Sequence, residues 1–358
     1  MQPVAPDSIH RPERFPIVVE IADAADLAAE PFARWVTLAH QELSAMASDA
    51  GLPVMRVTAV LTGDFAGAAR EAVALGPRAD GSVGYSAERL GGKAVAKTIA
   101  LTHDFSDVRI LFDSAAWRAR GPEDLGLYGL YLAAHELTHA FVGRLRAESG
   151  ALVGVQLPSK TPAECARSIA RTSAEEFLAD IVAGTVLSAA ASISADGQSR
   201  PVRPSDLADG PGGYASQLGL VLDDHVHPGW PDLVQSYRED RLGLDVMWRR
   251  IVEETDQVMT LIAHAEAEAA LDGVPGPMAG QYSGHPGVAL YLAPAWTAIR
   301  QAMSVTPLFP PPEEFRANEL QITNAGEEAL LAMWGRLGLT SEVRADREFA
   351  IWVSEPQR

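Results

Sequence analysis

Residues 131–141 read YLAAHELTHAF and contain two histidines and a glutamate at the spacing H-E-x-x-H. Positions i and i+4 of a helix lie one turn apart on the same face. His135 and His139 can therefore direct their imidazole nitrogens at one metal ion, at the usual zinc–nitrogen distance of about 2.0–2.1 Å. Glu136 lies beside them and could act as general base on a water molecule at the metal. The alternative is two half-buried histidines on an ordinary helix.

A catalytic zinc site normally has three protein ligands, so the motif needs one more. A third histidine at the spacing HExxHxxGxxH is excluded, because Val142 and Leu145 occupy the two positions that this motif requires. Residues 173–184 read SAEEFLADIVAG and place carboxylates on the next predicted helix. We expect Glu176 to be the third ligand. Asp180, one turn later, could accept the second N–H of a ligand histidine and hold its ring.

Glu175 is the alternative third ligand. Adjacent helix residues point about 100° apart, so we expect only one of the two glutamates to face the histidines. Asp180 shares the face of Glu176, whereas the corresponding partner of Glu175 is Ala179. This favours Glu176 and predicts that Glu175→Ala has little effect. A helix break near residues 172–173 would rotate Glu175 inward instead.

The segments HELTH and EFLAD, in this order, resemble the gluzincin branch of the zincin metallopeptidases, which includes the thermolysin-like families. The resemblance covers roughly residues 108–184. It implies a zinc-dependent peptidase with one Zn²⁺ per chain. The roles that it implies are zinc ligation by His135, His139 and Glu176, activation of water by Glu136, and orientation of a histidine by Asp180.

Further polar residues could contact the substrate or the transition state. An oxyanion that develops beside zinc usually needs an additional donor such as His, Tyr or Arg. The C-terminal half contains His225 and His227 in DDHVH, and Tyr282 and His285 in GQYSGHPG. His264 lies on a predicted helix in the same half. For each of them, a role in a loop, at the surface or in the core is the alternative.

The periodicity of apolar residues predicts an α+β fold, with a zincin-like lobe that holds a small mixed sheet and the HExxH helix, followed by a mostly helical lobe. Expected strands are 15–21, 54–61, 93–101 and 108–113; expected helices are 24–50, 64–75, 123–145, 161–191, 243–271, 287–304 and 325–337. Thr161, Pro162 and Glu164 form a predicted capping box. The expected divisions are an arm (1–15), the metal-binding lobe (16–193), a linker or long loop (194–216) and the helical lobe (217–358), with the metal in a cleft between the lobes.

The overall composition limits the classes of partner. The formal net charge is -18, which disfavours binding to nucleic acid. We expect no membrane span, because no long uncharged apolar run occurs. Cys165 is the only cysteine, so we expect a cytoplasmic protein without an intrachain disulfide. The expected substrate is a peptide, and the alternatives are a small molecule from a biosynthetic pathway or a non-catalytic binding protein with the same fold.

Overall fold

The computed structural model describes most of the chain. The described residues are 15–22, 26–77, 88–89, 92–93, 95–115, 124–151, 161–195, 198–207, 213–303, 309–343 and 349–355. The expected N-terminal arm, apart from Phe15, lies outside these residues.

The architecture is α+β, as expected, with one small mixed sheet and a mostly helical remainder. The strands are β1 (Ile17–Ala22), β2 (Arg56–Thr62), β3 (Glu88–Arg89), β4 (Gly92–Lys93), β5 (Ala96–Ala100), β6 (Asp107–Asp113), β7 (Ser192–Ala195), β8 (Gln198–Pro201), β9 (Leu339–Val343) and β10 (Phe349–Val353). The α-helices are α1 (Asp26–Asp49), α2 (Phe65–Leu75), α3 (Asp124–Glu148), α4 (Pro162–Ala190), α5 (Tyr214–Val221), α6 (Gly229–Arg238), α7 (Leu244–Asp272), α8 (Ala293–Met303) and α9 (Pro312–Arg336).

The main sheet has the strand order β1-β2-β6-β5. The first three strands are parallel, with Val57 opposite Val108, and β5 runs antiparallel to β6. Alternate side chains of β2 and β6 point to opposite faces. One face packs in a core with α1 and α3, and the other packs against α2. Helix α3, which carries the HExxH motif, packs against β5 and β6 of this sheet.

Helix α4 takes part in two hydrophobic cores. Its first half packs with α5–α9 through residues such as Ile169 and Phe177. Its second half packs with α1, α3 and the sheet through residues such as Val182 and Val186. The acidic residues of α4 therefore lie where the sheet-containing part of the chain meets the helical part.

The structure changes several expected boundaries. Helix α4 has no break near residues 172–173, because Ser173 is buried and its hydroxyl donates to the Ile169 carbonyl at 2.8 Å within the continuous helix. Helix α9 begins at Pro312, well before the expected residue 325. The segment expected as a linker or long loop contains β8 and a 3₁₀ turn, Pro204–Asp206.

None of the described helices combines the length and apolar character needed to cross a membrane.

Candidate metal centre

The H-E-x-x-H motif lies in the middle of α3, where the helix is buried on most sides. Leu137 and Phe141 are fully buried in the core beneath the sheet. The helix packs between α1 and α4. His135 and Glu136 are each only 8% exposed. The polar motif is thus set inside an apolar helix, and each polar side chain needs a specific partner.

Hydrogen bonds at the N-terminus of α4, the helix that carries Glu175 and Glu176, fix where this helix begins. Thr161 Oγ1 accepts from the Glu164 backbone N–H at 3.3 Å, and the Glu164 carboxylate accepts from the Thr161 N–H at 2.7 Å. The predicted capping box is therefore confirmed, with Pro162 at the first helical position. From this start α4 runs past α3 and carries Glu176 to the two histidines.

Three candidate ligand atoms converge. His135 Nε2 lies 3.1 Å from His139 Nε2, and Glu176 Oε2 lies 3.3 Å and 3.4 Å from these two nitrogens. Ligands at about 2.0–2.1 Å from a tetrahedral zinc ion are separated by about 3.3–3.4 Å. The triangle therefore has the dimensions of one face of such a site. It could hold a metal ion, and nitrogen and carboxylate donors suit zinc among other divalent metals.

The outer nitrogen of each histidine faces a carboxylate. His135 Nδ1 lies 2.7 Å from Asp180 Oδ1, so the contact expected for Asp180 is present. His139 Nδ1 lies 2.8 Å from Glu175 Oε1. An ionised carboxylate only accepts hydrogen bonds, so each Nδ1 carries the proton. In the neutral rings both Nε2 lone pairs then point at each other and at Glu176, an arrangement that could hold a metal ion.

The expectation that only one of the two glutamates faces the histidines is wrong. Glu176 contacts His139 at Nε2, and Glu175 contacts the same ring at Nδ1. Both adjacent residues reach His139 because an imidazole presents its two nitrogens on different edges. Glu175 is held in turn by Arg146, whose guanidinium donates to Glu175 Oε2 at 2.8 Å and also to Glu319 of α9.

Charge at the cluster is unbalanced without a cation. Within the described residues, no lysine or arginine forms an ion pair with Glu136, Glu176 or Asp180. Burial lowers the pKa of His135, but the Asp180 carboxylate, together with hydrogen bonds to Asp180 and Glu176, raises it to about 10. Burial raises the pKa of Glu175, but Arg146 and His139 lower it to about 2. The raised pKa of His135 means that this ring favours its protonated form when no metal ion is bound.

Glu136 contacts strand β5. The Thr98 hydroxyl lies within hydrogen-bonding distance of the Glu136 carboxylate oxygen Oε2, at 2.7 Å, and of the Glu136 carbonyl oxygen, at 2.8 Å. The carboxylate is thus positioned by the edge strand of the sheet and not by the metal-site histidines. No sequence pattern pointed to Thr98, since its pairing with α3 depends on how β5 packs on the helix.

His264 of α7 reaches the cluster from the helical part of the chain. Its Nδ1 donates to Asp180 Oδ2 at 2.6 Å, while its Nε2 lies 3.8 Å from Glu176 Oε2. The ring of Tyr214 stacks on His264 with centroids 4.6 Å apart. Asp180 is 1% exposed and also accepts a hydrogen bond from Tyr131. Its two oxygens therefore join α3 and α7.

Helix α7 packs against α4 next to Gly184, one turn after Asp180. A Cβ atom at this position would lie 2.4 Å from Leu271 Cδ1, at the end of a flexible side chain. The contact between His264 and Asp180 could not be predicted from the sequence, because the two residues are 84 positions apart.

Four other residues were expected to contact the substrate or the transition state: His225, His227, Tyr282 and His285. They lie apart from the cluster. His225 Nδ1 lies 3.7 Å from Glu254, and His285 Nε2 lies 3.2 Å from Asp223. The Tyr282 hydroxyl donates to the Ala215 carbonyl at 2.9 Å. His227 precedes a cis peptide bond to proline. Among the described residues, no hydrogen bond or ion pair joins any of these four to the metal-site cluster.

The cluster is only slightly open to solvent. The side chains of His135, His139 and Glu176 are 10%, 16% and 21% exposed. A separate cavity of about 50 Å³ lies next to Glu175 and Arg146, between α3, α4 and α9, and none of the three candidate ligands lines it.

Comparison with known proteins gives no assignment for this arrangement. No protein-family model matches the chain, and no curated protein or solved structure matches it either.

Proposed function

We propose that this protein is a zinc-dependent hydrolase that cleaves peptide bonds. The observation that carries the proposal is the convergence of His135 Nε2, His139 Nε2 and Glu176 Oε2, with Glu136 adjacent on the same helix. Two imidazoles and one carboxylate are a ligand set that leaves a coordination position free for chemistry in zinc enzymes. When bound, zinc lowers the pKa of a coordinated water molecule to about 7 and polarises a carbonyl group.

The residues of the chain have separate tasks in this proposal. His135, His139 and Glu176 hold the ion. Asp180 and Glu175 accept the Nδ1 protons of the two histidines, which fixes each ring with its Nε2 lone pair directed inward. Glu136 is the general base that removes a proton from the attacking water and later delivers it to the leaving amine.

Strand β5 favours a peptide substrate. In the part of the chain that the structure describes, β5 is the last strand of the main sheet and pairs only with β6. An extended peptide can add to such an edge through main-chain hydrogen bonds. Thr98 lies on this strand and contacts Glu136, so a peptide aligned along β5 would run past the proposed base.

A small-molecule substrate is the second candidate. The limited exposure of the three ligand side chains, between 10% and 21%, favours a compact substrate over a long chain. The third candidate is a non-catalytic binding protein with the same fold and without the metal. Metal analysis of the purified protein separates it from the first two.

The test is hydrolysis by zinc-loaded protein of a diverse peptide mixture, with products identified by mass spectrometry. We expect defined cleavage products with the native protein and none with Glu136→Gln, which keeps the size of the side chain and removes its basicity. Glu136→Gln should still bind zinc, because Glu136 is proposed as a base and not as a ligand. Cleavage of N-acyl amino acids or dipeptides alone would favour the small-molecule candidate. Normal turnover by Glu136→Gln would refute the role of Glu136.

A further inference from the structure

Arg146 follows His139 on α3 by about two helical turns, so the two residues lie on the same face of the helix. The carboxylate of Glu175, from α4, lies between their side chains. Its Oε1 atom accepts from His139 Nδ1 at 2.8 Å, and its Oε2 atom accepts from Arg146 Nη2 at 2.8 Å. Glu175 therefore bridges a histidine of the candidate metal centre and an arginine that is not part of it.

Arg146 is held on a second side by α9. Its Nε atom donates to the Glu319 carboxylate, and its guanidinium lies over the Phe315 ring, 6.0 Å from the ring centroid. The side chains of Arg146 and Glu319 are only 12% and 11% exposed. A planar guanidinium with carboxylate partners on two of its edges has little freedom to rotate. Helix α9 thus fixes the position from which Arg146 holds Glu175.

Packing alone does not hold the Glu175 carboxylate in place. The cavity of about 50 Å³ between α3, α4 and α9 borders both Glu175 and Arg146. Without the hydrogen bond from Arg146, the carboxylate has room to move away from His139. The His139 ring would then lose the acceptor that fixes its orientation.

Arg171 is a second cation in the same place. It lines the same cavity, one turn before Glu175 on α4, and its charge interacts with that of Glu175. Among the described residues, however, Arg171 makes no hydrogen bond or ion pair with Glu175. The two arginines therefore separate the effect of a nearby charge from the effect of a direct contact.

We propose that Arg146 is a positioning residue of the metal centre, which strengthens metal binding by holding the Glu175 carboxylate against His139. The inference rests on the ligand triangle described under the proposed function, but it does not depend on hydrolysis. Charge alone predicts the opposite sign, because removing a positive charge near a divalent cation relieves repulsion and tightens metal binding. Loss of the contact should instead weaken metal binding, because His139 is no longer oriented.

The experiment measures the zinc affinity of the full chain by competition with a zinc-binding dye. Arg146→Met keeps an apolar stem and removes the guanidinium. Arg171→Met is the matched control, since it removes the same charge beside the same cavity without breaking a hydrogen bond to Glu175. Both substitutions are repeated in a Glu175→Ala chain, which completes a double-mutant cycle. Thermal unfolding of the metal-free proteins verifies that each variant is folded.

We expect Arg146→Met to bind zinc roughly tenfold more weakly than the native protein, at the lower end of the losses typical for residues that orient a ligand. Arg171→Met should bind zinc at least as tightly as the native protein. In the Glu175→Ala chain, Arg146→Met should cause no further weakening, because Arg146 acts through Glu175.

Three results would overturn the inference: native or tighter zinc binding in Arg146→Met, the same weakening with and without Glu175, or equal weakening by Arg171→Met. Absence of zinc binding in the native protein would overturn both the metal centre and the inference. Zinc binding with the expected effects, but without peptide cleavage, would support the inference and contradict the proposed hydrolysis alone.

Arg146→Lys serves if Arg146→Met does not fold, because it keeps the positive charge. A lysine has one ammonium group in place of the planar fork, so it cannot donate to Glu175 and Glu319 from two edges. We expect a loss of zinc affinity smaller than the roughly tenfold loss of Arg146→Met, and no loss in the Glu175→Ala chain. In that case, native zinc affinity in Arg146→Lys would overturn the inference.

Discussion

His139 and Glu175 form a hydrogen bond of 2.8 Å between Nδ1 and Oε1, on the edge of the imidazole opposite to the one that faces Glu176. Two adjacent glutamates of α4 therefore approach one histidine of α3. Glu175 continues to Arg146 and, through Arg146, to Glu319 of α9. The candidate metal site is thereby linked to α9.

Glu175→Ala should weaken zinc binding, contrary to the expectation from helical geometry alone. The substitution removes the acceptor that fixes the His139 tautomer, and we expect a loss of about 10–100-fold in metal affinity. The measurement is competition with a zinc-binding dye. Glu328→Ala, at an exposed position of α9, is the control. Unchanged affinity in Glu175→Ala would show that the contact does not support the ligand.

Asp180→Asn should have a loss of similar size, about 10–100-fold in metal affinity. An asparagine side chain has one carbonyl oxygen, so it cannot accept from the Nδ1 atoms of both His135 and His264. The amide N–H of the asparagine would then face the Nδ1–H of one of these two histidines inside the protein. Dye competition measures the effect, with Asp245→Asn at an exposed site as the control. Equal affinities for the two variants would contradict the proposed role of Asp180.

Zinc binding should release protons at pH 7. The pKa of His135 in the metal-free protein is raised to about 10 and that of His139 is also raised, so a proton must leave the histidine pair before zinc binds at neutral pH. A metal requires the neutral ring, and affinity should therefore rise as the pH rises towards about 10. Calorimetry in two buffers of different protonation enthalpy measures the protons released. A heat of binding independent of the buffer would contradict this prediction.

Thr98→Val should lower hydrolysis while metal content stays native. Valine keeps the shape of threonine and removes the hydroxyl that contacts the Glu136 carboxylate. The loss of one hydrogen bond to a charged group predicts a decrease in turnover of about tenfold. Thr98→Ser keeps the hydroxyl and should restore most of the activity. Equal rates for Thr98→Val and Thr98→Ser would mean that the contact does not position the base.

The local part of the site could be predicted from the sequence. The spacing of His135 and His139 places both on one helical face, and Thr161 with Glu164 marks where α4 begins. The contacts made across long sequence separations could not be predicted. Thr98 meets Glu136 because β5 lies at the edge of the sheet over α3, and His264 meets Asp180 because α7 packs against α4. The argument from helix directions did not consider that an imidazole has two nitrogens. Glu175 and Glu176 were therefore not expected to contact the histidines together.

The central claim is that His135, His139 and Glu176 hold one zinc ion. Elemental analysis of purified, dialysed protein measures it most directly, on the native chain and on the double variant His135→Ala, His139→Ala. We predict about one zinc per chain in the native protein, since one triangle of ligands is present, and almost none in the folded double variant. Stoichiometric zinc in the double variant, or its absence from the native protein after incubation with zinc, would contradict the assignment.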